Sequence, residues 1–334
     1  MTEDGLPSIA VIGLGSIGVR HAGNFQSLGC QVIGADSDPG RLQMLDRFPE
    51  AAAAANIDDA IERSDAVVIA TPASSHIPIA AQALSAGRHL LIEKPLSTDL
   101  SGSDQLEDPA DSIVMTGFNL RFLPAVGKAK TLIDDGAIGR ILNGSFEFGY
   151  DLRKWNPHRD YRKTYSARVE DGGGVLLDAI HELDLLLHLC GAADSVIATL
   201  GSSGLLEIDG EDRVVAAVTI EGGGILQVAL DYLSPTYYRG FRIVGDEGLI
   251  EWDWNTGTMN FIRGDARAQF HWNTDADATY VEEARHFLAC IAEGQVKPPA
   301  ADIAAGISSL ELAMAIRESD SESARVFLGE TPDE

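Results

Sequence analysis

The sequence is poor in lysine and strongly acidic. Twenty-five basic residues face 51 acidic ones, which gives a net charge of −26. Nucleic acids and anionic membranes are polyanions, so this charge disfavours both as partners. An acidic, lysine-poor surface fits a salt-adapted protein, in which salt screens the self-repulsion, and it equally fits an acidic protein from a GC-rich mesophile. The lysines are Lys94, Lys128, Lys130, Lys154, Lys163 and Lys297.

Cysteine and long apolar runs are also scarce. Cys30, Cys190 and Cys290 are widely separated and odd in number, which argues against a disulfide framework. The chain has no C-x-x-C pair, and we expect no metal site. No apolar stretch reaches the length of a membrane span, and the first eight residues lack the pattern of a signal peptide. These features predict a cytoplasmic protein.

A glycine-rich stretch follows the first apolar run. Ile9 to Ile12 is typical of a buried parallel strand, and a G-x-G-x-x-G motif then opens a helical pattern. In this context glycines permit the tight turn, the approach of a pyrophosphate and close helix–strand packing. The first helical turn adds free N–H groups for the phosphates. The predicted cofactor contacts here are Gly13, Gly15, Ser16, Ile17 and Gly18.

A carboxylate follows the second predicted strand. Gln31 to Ala35 ends in Asp36, near the spacing expected for a residue that binds the adenosine ribose hydroxyls. No arginine comes directly after Asp36, and its charge would repel a 2′-phosphate. The sequence therefore favours NAD over NADP, and Arg41 is assigned to the same cofactor site.

Strand and helix patterns alternate up to about residue 118, which predicts a doubly wound parallel sheet. Two further strands, Ala66–Ala70 and His89–Ile92, lead into polar turns at the carboxyl edge of that sheet, where ligands bind. We assign both turns to the cofactor site, although a charged pair after a strand can equally be a solvated strand end. The residues concerned are Thr71, Pro72, His76, Glu93 and Lys94.

A long polar and aromatic segment, from Asp151 to Arg168, is locally basic in this acidic chain. Arginine forks match phosphate geometry, so the segment could form a lid or a pocket for an anionic substrate. A charged surface loop or an oligomer contact is the alternative. Its predicted substrate contacts are Tyr161, Arg162 and Arg168.

An apolar helix is predicted from Val175 to Leu189, directly after three glycines. Asp178, His181, Asp184 and His188 fall on one face of it at helical spacing. Polar groups on so apolar a helix need partners or line a site. Three interpretations stay open at this point: a catalytic pocket, a satisfied structural network, and a metal site without a recognisable ligand set.

Taken in order, these motifs resemble the glucose–fructose oxidoreductase / inositol dehydrogenase (Gfo/Idh/MocA) family over nearly the whole chain. The resemblance rests on the glycine motif, Thr71-Pro72 with His76, Glu93-Lys94-Pro95, and the stretches Gly117–Pro124 and Gly139–Ile141. It implies an α/β fold: an N-terminal Rossmann domain, residues 1–118, and a C-terminal α+β domain, residues 119–334. The second domain would carry a large, mostly antiparallel, open-faced sheet that forms homodimers or homotetramers.

The resemblance also implies a reaction and its residues. Lys94 and His181 would move the hydroxyl proton during NAD-dependent oxidation, with Asp178 as a further catalytic residue. Asn119 would contact the cofactor, while Arg121 and Asp184 would contact the substrate. Here only two residues separate Asp178 from His181, whereas many members of the family have three. His181 and Asp184 keep the family's spacing, so the difference falls on Asp178.

The substrate is expected to be a sugar. The basic segment and the short Asp178–His181 spacing resemble members that oxidise nucleotide-activated sugars. A free sugar or inositol is the alternative, and NAD-dependent glycoside hydrolysis also occurs in the family. A non-catalytic NAD-binding regulatory protein is a further alternative of a different class, which intact Lys94 and His181 disfavour.

Overall fold

A computed structural model of the chain describes residues 5–155 and 157–329. It divides into two compact units. The N-terminal unit comprises residues 5–122 and 275–307, and the C-terminal unit comprises residues 123–274 and 308–329. The predicted division, a single boundary after residue 118, differs from this one because the chain returns to the N-terminal unit at residue 275.

The strands and helices are numbered in chain order. The strands are β1 (Ile9–Ile12), β2 (Val32–Ala35), β3 (Ala52–Ala53), β4 (Ala66–Ile69), β5 (His89–Glu93), β6 (Val114–Gly117), β7 (Ile141–Gly149), β8 (Ala193–Gly201), β9 (Arg213–Ile220), β10 (Ile225–Asp231), β11 (Tyr238–Gly245), β12 (Leu249–Asp253), β13 (Thr258–Arg263), β14 (Ala266–His271), β15 (Ala301–Asp302) and β16 (Val326–Phe327). The helices are α1 (Ser16–Ser27), α2 (Ile57–Glu62), α3 (His76–Ser85), α4 (Pro124–Asp134), α5 (Leu152–Trp155), α6 (Val175–Asp178), α7 (His181–Cys190), α8 (Ala276–Glu293) and α9 (Ile303–Glu322).

The N-terminal unit is built on a seven-stranded sheet in the order β15-β6-β5-β4-β1-β2-β3. Six of these strands are parallel, and only β15 runs antiparallel, beside β6. All four residues of β1 are buried, as expected for a parallel strand covered on both faces. The predicted Rossmann sheet is confirmed.

Helix α8 belongs to the core of the N-terminal unit. Its Phe287 packs edge-on against Phe25 of α1, with the ring centroids 6.2 Å apart, and Cys290 and Ala300 lie in the same apolar cluster. Helical periodicity in the sequence shows that α8 has an apolar face. It does not show which sheet that face covers, so the sequence assigned α8 to the second domain.

The C-terminal unit carries a nine-stranded sheet in the order β14-β13-β12-β11-β7-β10-β9-β8-β16. All neighbours are antiparallel except β7 and β10. Burial alternates along β9, where Val214, Ala216, Val218 and Ile220 point into the core. The predicted large, mostly antiparallel sheet is confirmed.

The predicted continuous helix from Val175 to Leu189 is wrong. The structure has two helices there, α6 and α7, separated by Ala179 and Ile180. Asp178 ends α6, and both of its carboxylate oxygens accept hydrogen bonds from hydroxyl groups outside the helix. These bonds hold the end of α6 where it is. Asp178 therefore does not continue the helical face of His181 and Asp184.

Among the helices in residues 5–155 and 157–329, none is both long enough and apolar enough to span a membrane.

Candidate cofactor and catalytic site

The loop between β1 and α1 requires glycine at its first and third motif positions. Gly13 has a φ of +91°, and a Cβ there would lie 2.6 Å from the Ala70 carbonyl oxygen. A Cβ on Gly18 would lie 1.7 Å from the Gly13 carbonyl oxygen. No other residue fits either position without moving the backbone. The turn after β4 therefore lies directly against the glycine loop.

The second glycine of the motif borders open space. A Cβ on Gly15 would meet only the Arg41 guanidinium, at 3.9 Å. Gly15 caps α1 without a side-chain hydrogen bond, so the N–H groups of Ser16 and Ile17 lie in a first turn that has no internal acceptors. An open glycine beside a helix N-terminus suits a pyrophosphate, and this part of the site fits NAD.

Asp36 is fixed at the end of β2 beside this loop. Its side chain is 4% exposed, its Oδ2 accepts the Leu14 N–H at 2.7 Å, and its Oδ1 accepts the Asp38 N–H at 2.8 Å. A carboxylate has about four acceptor positions, so each oxygen keeps capacity for a ribose hydroxyl. The half-exposed guanidinium of Arg41 lies 3.6 Å from Asp36 Oδ2. This arrangement fits the adenosine half of the cofactor.

His76 is buried and joins the two polar turns at the sheet edge. Its Nδ1 lies 3.0 Å from the Pro95 carbonyl oxygen and its Nε2 lies 2.9 Å from the Thr71 carbonyl oxygen. Burial lowers the pKa of His76, although both carbonyls oppose this effect. His76 therefore holds the turns after β4 and β5 together, and its predicted contact with the cofactor stays a prediction. Pro72 and Thr71 belong to the first of these turns.

The Glu93 side chain is also buried, at the end of β5. Its Oε1 lies 2.7 Å from Nε2 of His21, a buried residue of α1, and its Oε2 accepts the Lys94 N–H at 3.2 Å. The predicted contact of Glu93 with the cofactor stays a prediction. Sequence reasoning did not single out His21. The available signal was its place on the buried side of α1, where a polar residue needs a partner.

Asn119 and Arg121 are buried at the end of the first segment of the N-terminal unit. The Asn119 amide donates to Thr279 Oγ1 at 2.6 Å, and Arg121 donates to the Ala300 carbonyl oxygen at 3.4 Å. Both side chains thus bind the chain that returns at residue 275. Their predicted contacts with cofactor and substrate stay predictions.

In the C-terminal unit, Asp178 is the centre of a hydroxyl network. Tyr165 donates to its Oδ1 at 2.5 Å, and Ser166 and Tyr232 donate to its Oδ2, each at 2.8 Å. Burial and the neighbouring carboxylate raise the pKa of Tyr232 well above its usual value, so this hydroxyl remains a donor. The structure places Asp178 in a hydrogen-bonded network, as one of the three interpretations expected, and its predicted catalytic role stays a prediction.

His181 is the first residue of α7 and is 6% exposed. The next residue, Glu182, forms a buried ion pair with Arg239 of β11 at 2.6 Å, and the Arg239 guanidinium lies over the ring of Phe148. These contacts fix the start of α7 on the sheet. Asp184 lies less than one turn further and is 0% exposed, and its predicted contact with a substrate stays a prediction.

Three arginines of the basic segment pair with nearby carboxylates, the first of them Arg153 with Asp151. The Arg162 guanidinium binds both Asp160 oxygens, at 2.8 and 3.0 Å, and reaches Glu207 at 3.2 Å. The Arg168 guanidinium pairs with Asp171 at 2.7 Å, and the Tyr161 hydroxyl accepts the Glu207 N–H. The hydrogen bond from Arg162 lowers the pKa of Asp160, which keeps that carboxylate charged. These cations already have anionic partners, which weakens the prediction of a phosphate pocket.

Comparisons with known proteins agree with both halves of the fold. Residues 8–113 match the family described as "Oxidoreductase family, NAD-binding Rossmann fold", and residues 126–251 match the "GFO/IDH/MocA C-terminal domain". A solved structure, "Levoglucosan dehydrogenase, complex with NADH and levoglucosan", superposes with a TM-score of 0.85 at 24% identity, covering 96% of this chain and 98% of that one.

Two curated relatives extend the likeness. Levoglucosan dehydrogenase from Pseudarthrobacter phenanthrenivorans is 32% identical over 289 residues, which cover 73% of this chain and 72% of the relative. "Scyllo-inositol 2-dehydrogenase (NAD(+))" from Bacillus subtilis is 26% identical over 343 residues and covers 93% of both chains. The chain therefore belongs to the Gfo/Idh/MocA family of NAD-dependent oxidoreductases.

Proposed function

We propose that the protein is an NAD-dependent dehydrogenase that oxidises a hydroxyl group of a free sugar or cyclitol. Arg162 and Arg168 pair with carboxylates, so a phosphate would have to compete with those partners, which favours a substrate without one. The names of the two curated relatives, an inositol and a levoglucosan dehydrogenase, support the same class.

The cofactor site would be formed by the glycine loop, the first turn of α1, Asp36 and Arg41. NAD, when bound, supplies the acceptor for the hydride that leaves the substrate carbon. The glycine loop binds the diphosphate through backbone N–H groups, and Asp36 accepts hydrogen bonds from the ribose. Helix dipole and backbone donors suit the phosphates without any lysine or arginine in the loop itself.

Proton transfer falls to Lys94 and His181 in this proposal. The oxidised carbon loses its hydroxyl proton as well as the hydride, and a base must accept that proton. A histidine has an ordinary pKa near neutrality, which suits this task, and a lysine can donate to or accept from the same hydroxyl. The order in which the two side chains handle the proton is left open.

A second candidate substrate class is the nucleotide-activated sugar expected from the sequence. The segment from Asp151 to Arg168 still concentrates basic and aromatic side chains, and its pairs are half-exposed surface contacts of the kind that contribute little, about 0 to 1 kcal/mol each. A diphosphate could compete for such arginines. A cytoplasmic location, also expected from the sequence, stays a prediction.

The test is NADH absorbance with NAD and a panel of free sugars, inositols, and UDP-, GDP- and CMP-sugars. We expect turnover with a free polyol and none with the nucleotide sugars. Turnover confined to nucleotide sugars would establish the second candidate instead. Cleavage of a glycoside without net NADH would indicate hydrolysis. Tight NAD binding without turnover on any compound would support a regulatory protein and refute the dehydrogenase.

We further propose that the chain forms a homodimer or homotetramer through the open face of the nine-stranded sheet. Three adjacent strands place Ile197, Val215 and Ile225 on that face, with exposures of 46, 55 and 56%. Grouped exposed apolar side chains usually mark an interface. We expect a mass in solution of at least twice 35.6 kDa, and a shift toward the monomer when Val215 is changed to lysine. A monomeric wild-type protein would refute the proposal.

A further inference from the structure

A buried cluster of ionisable side chains includes Glu93, the residue directly before Lys94. It consists of His21 from α1, Glu93 from β5 and Glu283 from α8, which are 0, 6 and 0% exposed. One nitrogen or oxygen atom from each residue lies within 4.8 Å of the other two. The proposed reaction assigns no task to His21 or Glu283.

A hydrogen-bonded chain runs from this cluster to Lys94. The Nε2 of His21 lies 2.7 Å from Glu93 Oε1, and Glu93 Oε2 accepts the backbone N–H of Lys94 at 3.2 Å. The first distance is that of a strong hydrogen bond. A tetrahedral metal ion that bridged the same two atoms would hold them about 3.4 Å apart, given bonds of about 2.1 Å. The geometry therefore favours a direct hydrogen bond over a bridging ion.

The surroundings leave the Glu93 carboxylate little freedom. Gly117 of β6 is paired with Glu93 across the sheet, and a Cβ there would lie 3.3 Å from the carboxylate carbon and from Oε2. The Tyr280 ring of α8 packs edge-on against the His21 ring, with centroids 5.8 Å apart. Burial and the carboxylates of Glu93 and Glu283 raise the pKa of Tyr280, so it stays neutral beside His21.

We propose that His21 is a positioning residue for Lys94 and acts through Glu93. The His21 N–H fixes one oxygen of the carboxylate, and the other oxygen then fixes the backbone at Lys94. Because α1 also carries the glycine motif at its N-terminus, the helix that holds the diphosphate is linked to the lysine within one unit. This inference rests on the proposed function, in which Lys94 moves the substrate proton.

The first test compares His21→Leu with His21→Gln. Glutamine can place an N–H where Nε2 lies, whereas leucine cannot. A misplacement of about 1 Å can cost about a hundredfold in rate, so we expect kcat to fall ten- to a hundredfold in His21→Leu while the Kd for NAD stays within about threefold. His21→Gln should recover most of kcat. His286→Leu is the matched control, since His286 lies in the same unit, where it contacts the Lys297 carbonyl oxygen and the Phe122 ring rather than Glu93.

The second test needs no substrate. Mild acetylation followed by peptide mass spectrometry measures how fast the Lys94 side chain is acetylated. The other five lysines serve as internal standards. We expect the Lys94 rate to rise several-fold in His21→Leu and to match wild type in His21→Gln. If His21→Leu does not fold, Gly117→Ala replaces it, because the added Cβ would lie 3.3 Å from the Glu93 carboxylate and press on it.

The outcomes separate the two proposals. Equal kcat and equal Lys94 labelling in the leucine and glutamine variants would overturn the role of His21, and so would one equivalent of tightly bound metal in the purified protein. Absence of turnover on every substrate would refute the proposed function. In that case a Lys94 labelling rate that changes in His21→Leu would still establish the link from His21 to the lysine.

Discussion

Lys94→Met is expected to reduce NADH formation by about a thousandfold, because it removes the ammonium group that the proposed reaction uses to move the hydroxyl proton. Methionine keeps the length and most of the volume of the side chain. The backbone N–H that Glu93 accepts is also unchanged, so the turn after β5 should keep its conformation. We therefore expect the Kd for NAD, measured by calorimetry, to change by less than about threefold.

The matched control is Lys297→Met. Lys297 lies in the same unit, is half-exposed, and pairs with Glu293 at the end of α8. Its loss should leave turnover within about twofold of wild type. A Lys94→Met enzyme that keeps more than a tenth of the wild-type rate would show that the lysine does not handle the proton, and His181 alone would remain as the base.

Asp36→Ser is expected to raise the KM for NAD by ten- to a hundredfold and to improve the use of NADP. The carboxylate is the acceptor proposed for the ribose hydroxyls, and hydrogen bonds to charged groups contribute about 1.5 to 3 kcal/mol each. Serine also removes the charge that repels a 2′-phosphate. Arg41, 3.6 Å from the carboxylate, would then keep only the exposed Asp38 carboxylate, at 3.9 Å, as a competitor for that phosphate. The measurement is kcat/KM with each cofactor.

Two further variants make this prediction specific. Asp38→Ser also removes one negative charge, two residues later, from a side chain that is 63% exposed. It should change kcat/KM by no more than about twofold with either cofactor. Adding Arg41→Ala to Asp36→Ser should abolish the gain with NADP. A KM for NAD that stays unchanged in Asp36→Ser would mean that the cofactor's ribose does not bind at the end of β2.

The sequence predicted the parts of the site that follow from local rules. The glycine motif, the strand before it and Asp36 are fixed by short-range geometry, and the structure places Asp36 against the N–H of Leu14 in that loop. The buried strands of the first domain could also be predicted from the sequence, because a strand covered on both faces needs apolar residues throughout.

The misses arise where side-chain partners distant in sequence decide the outcome. The periodicity from Val175 to Leu189 gives no sign of a break, yet Asp178 is held by a hydroxyl from Tyr232, 54 residues later. Likewise, the partner of Glu93 was missed, because His21, 72 residues earlier, could not be matched to it by pattern. Arg162 looked available to a phosphate because the position of Glu207 was unknown.

The return of residues 275–307 to the N-terminal unit has a consequence for biosynthesis. The apolar cluster around Phe25 also needs Phe287, Cys290 and Ala300, and β15 completes the edge of the sheet beside β6. A ribosome adding about 5 to 20 residues per second takes about 10 to 40 s to travel from residue 122 to residue 307. During that time the nascent Rossmann sheet has an open edge and a partly exposed core. The N-terminal unit can therefore complete its fold only after residues 275–307 have been synthesised, and its apolar surface needs protection until then.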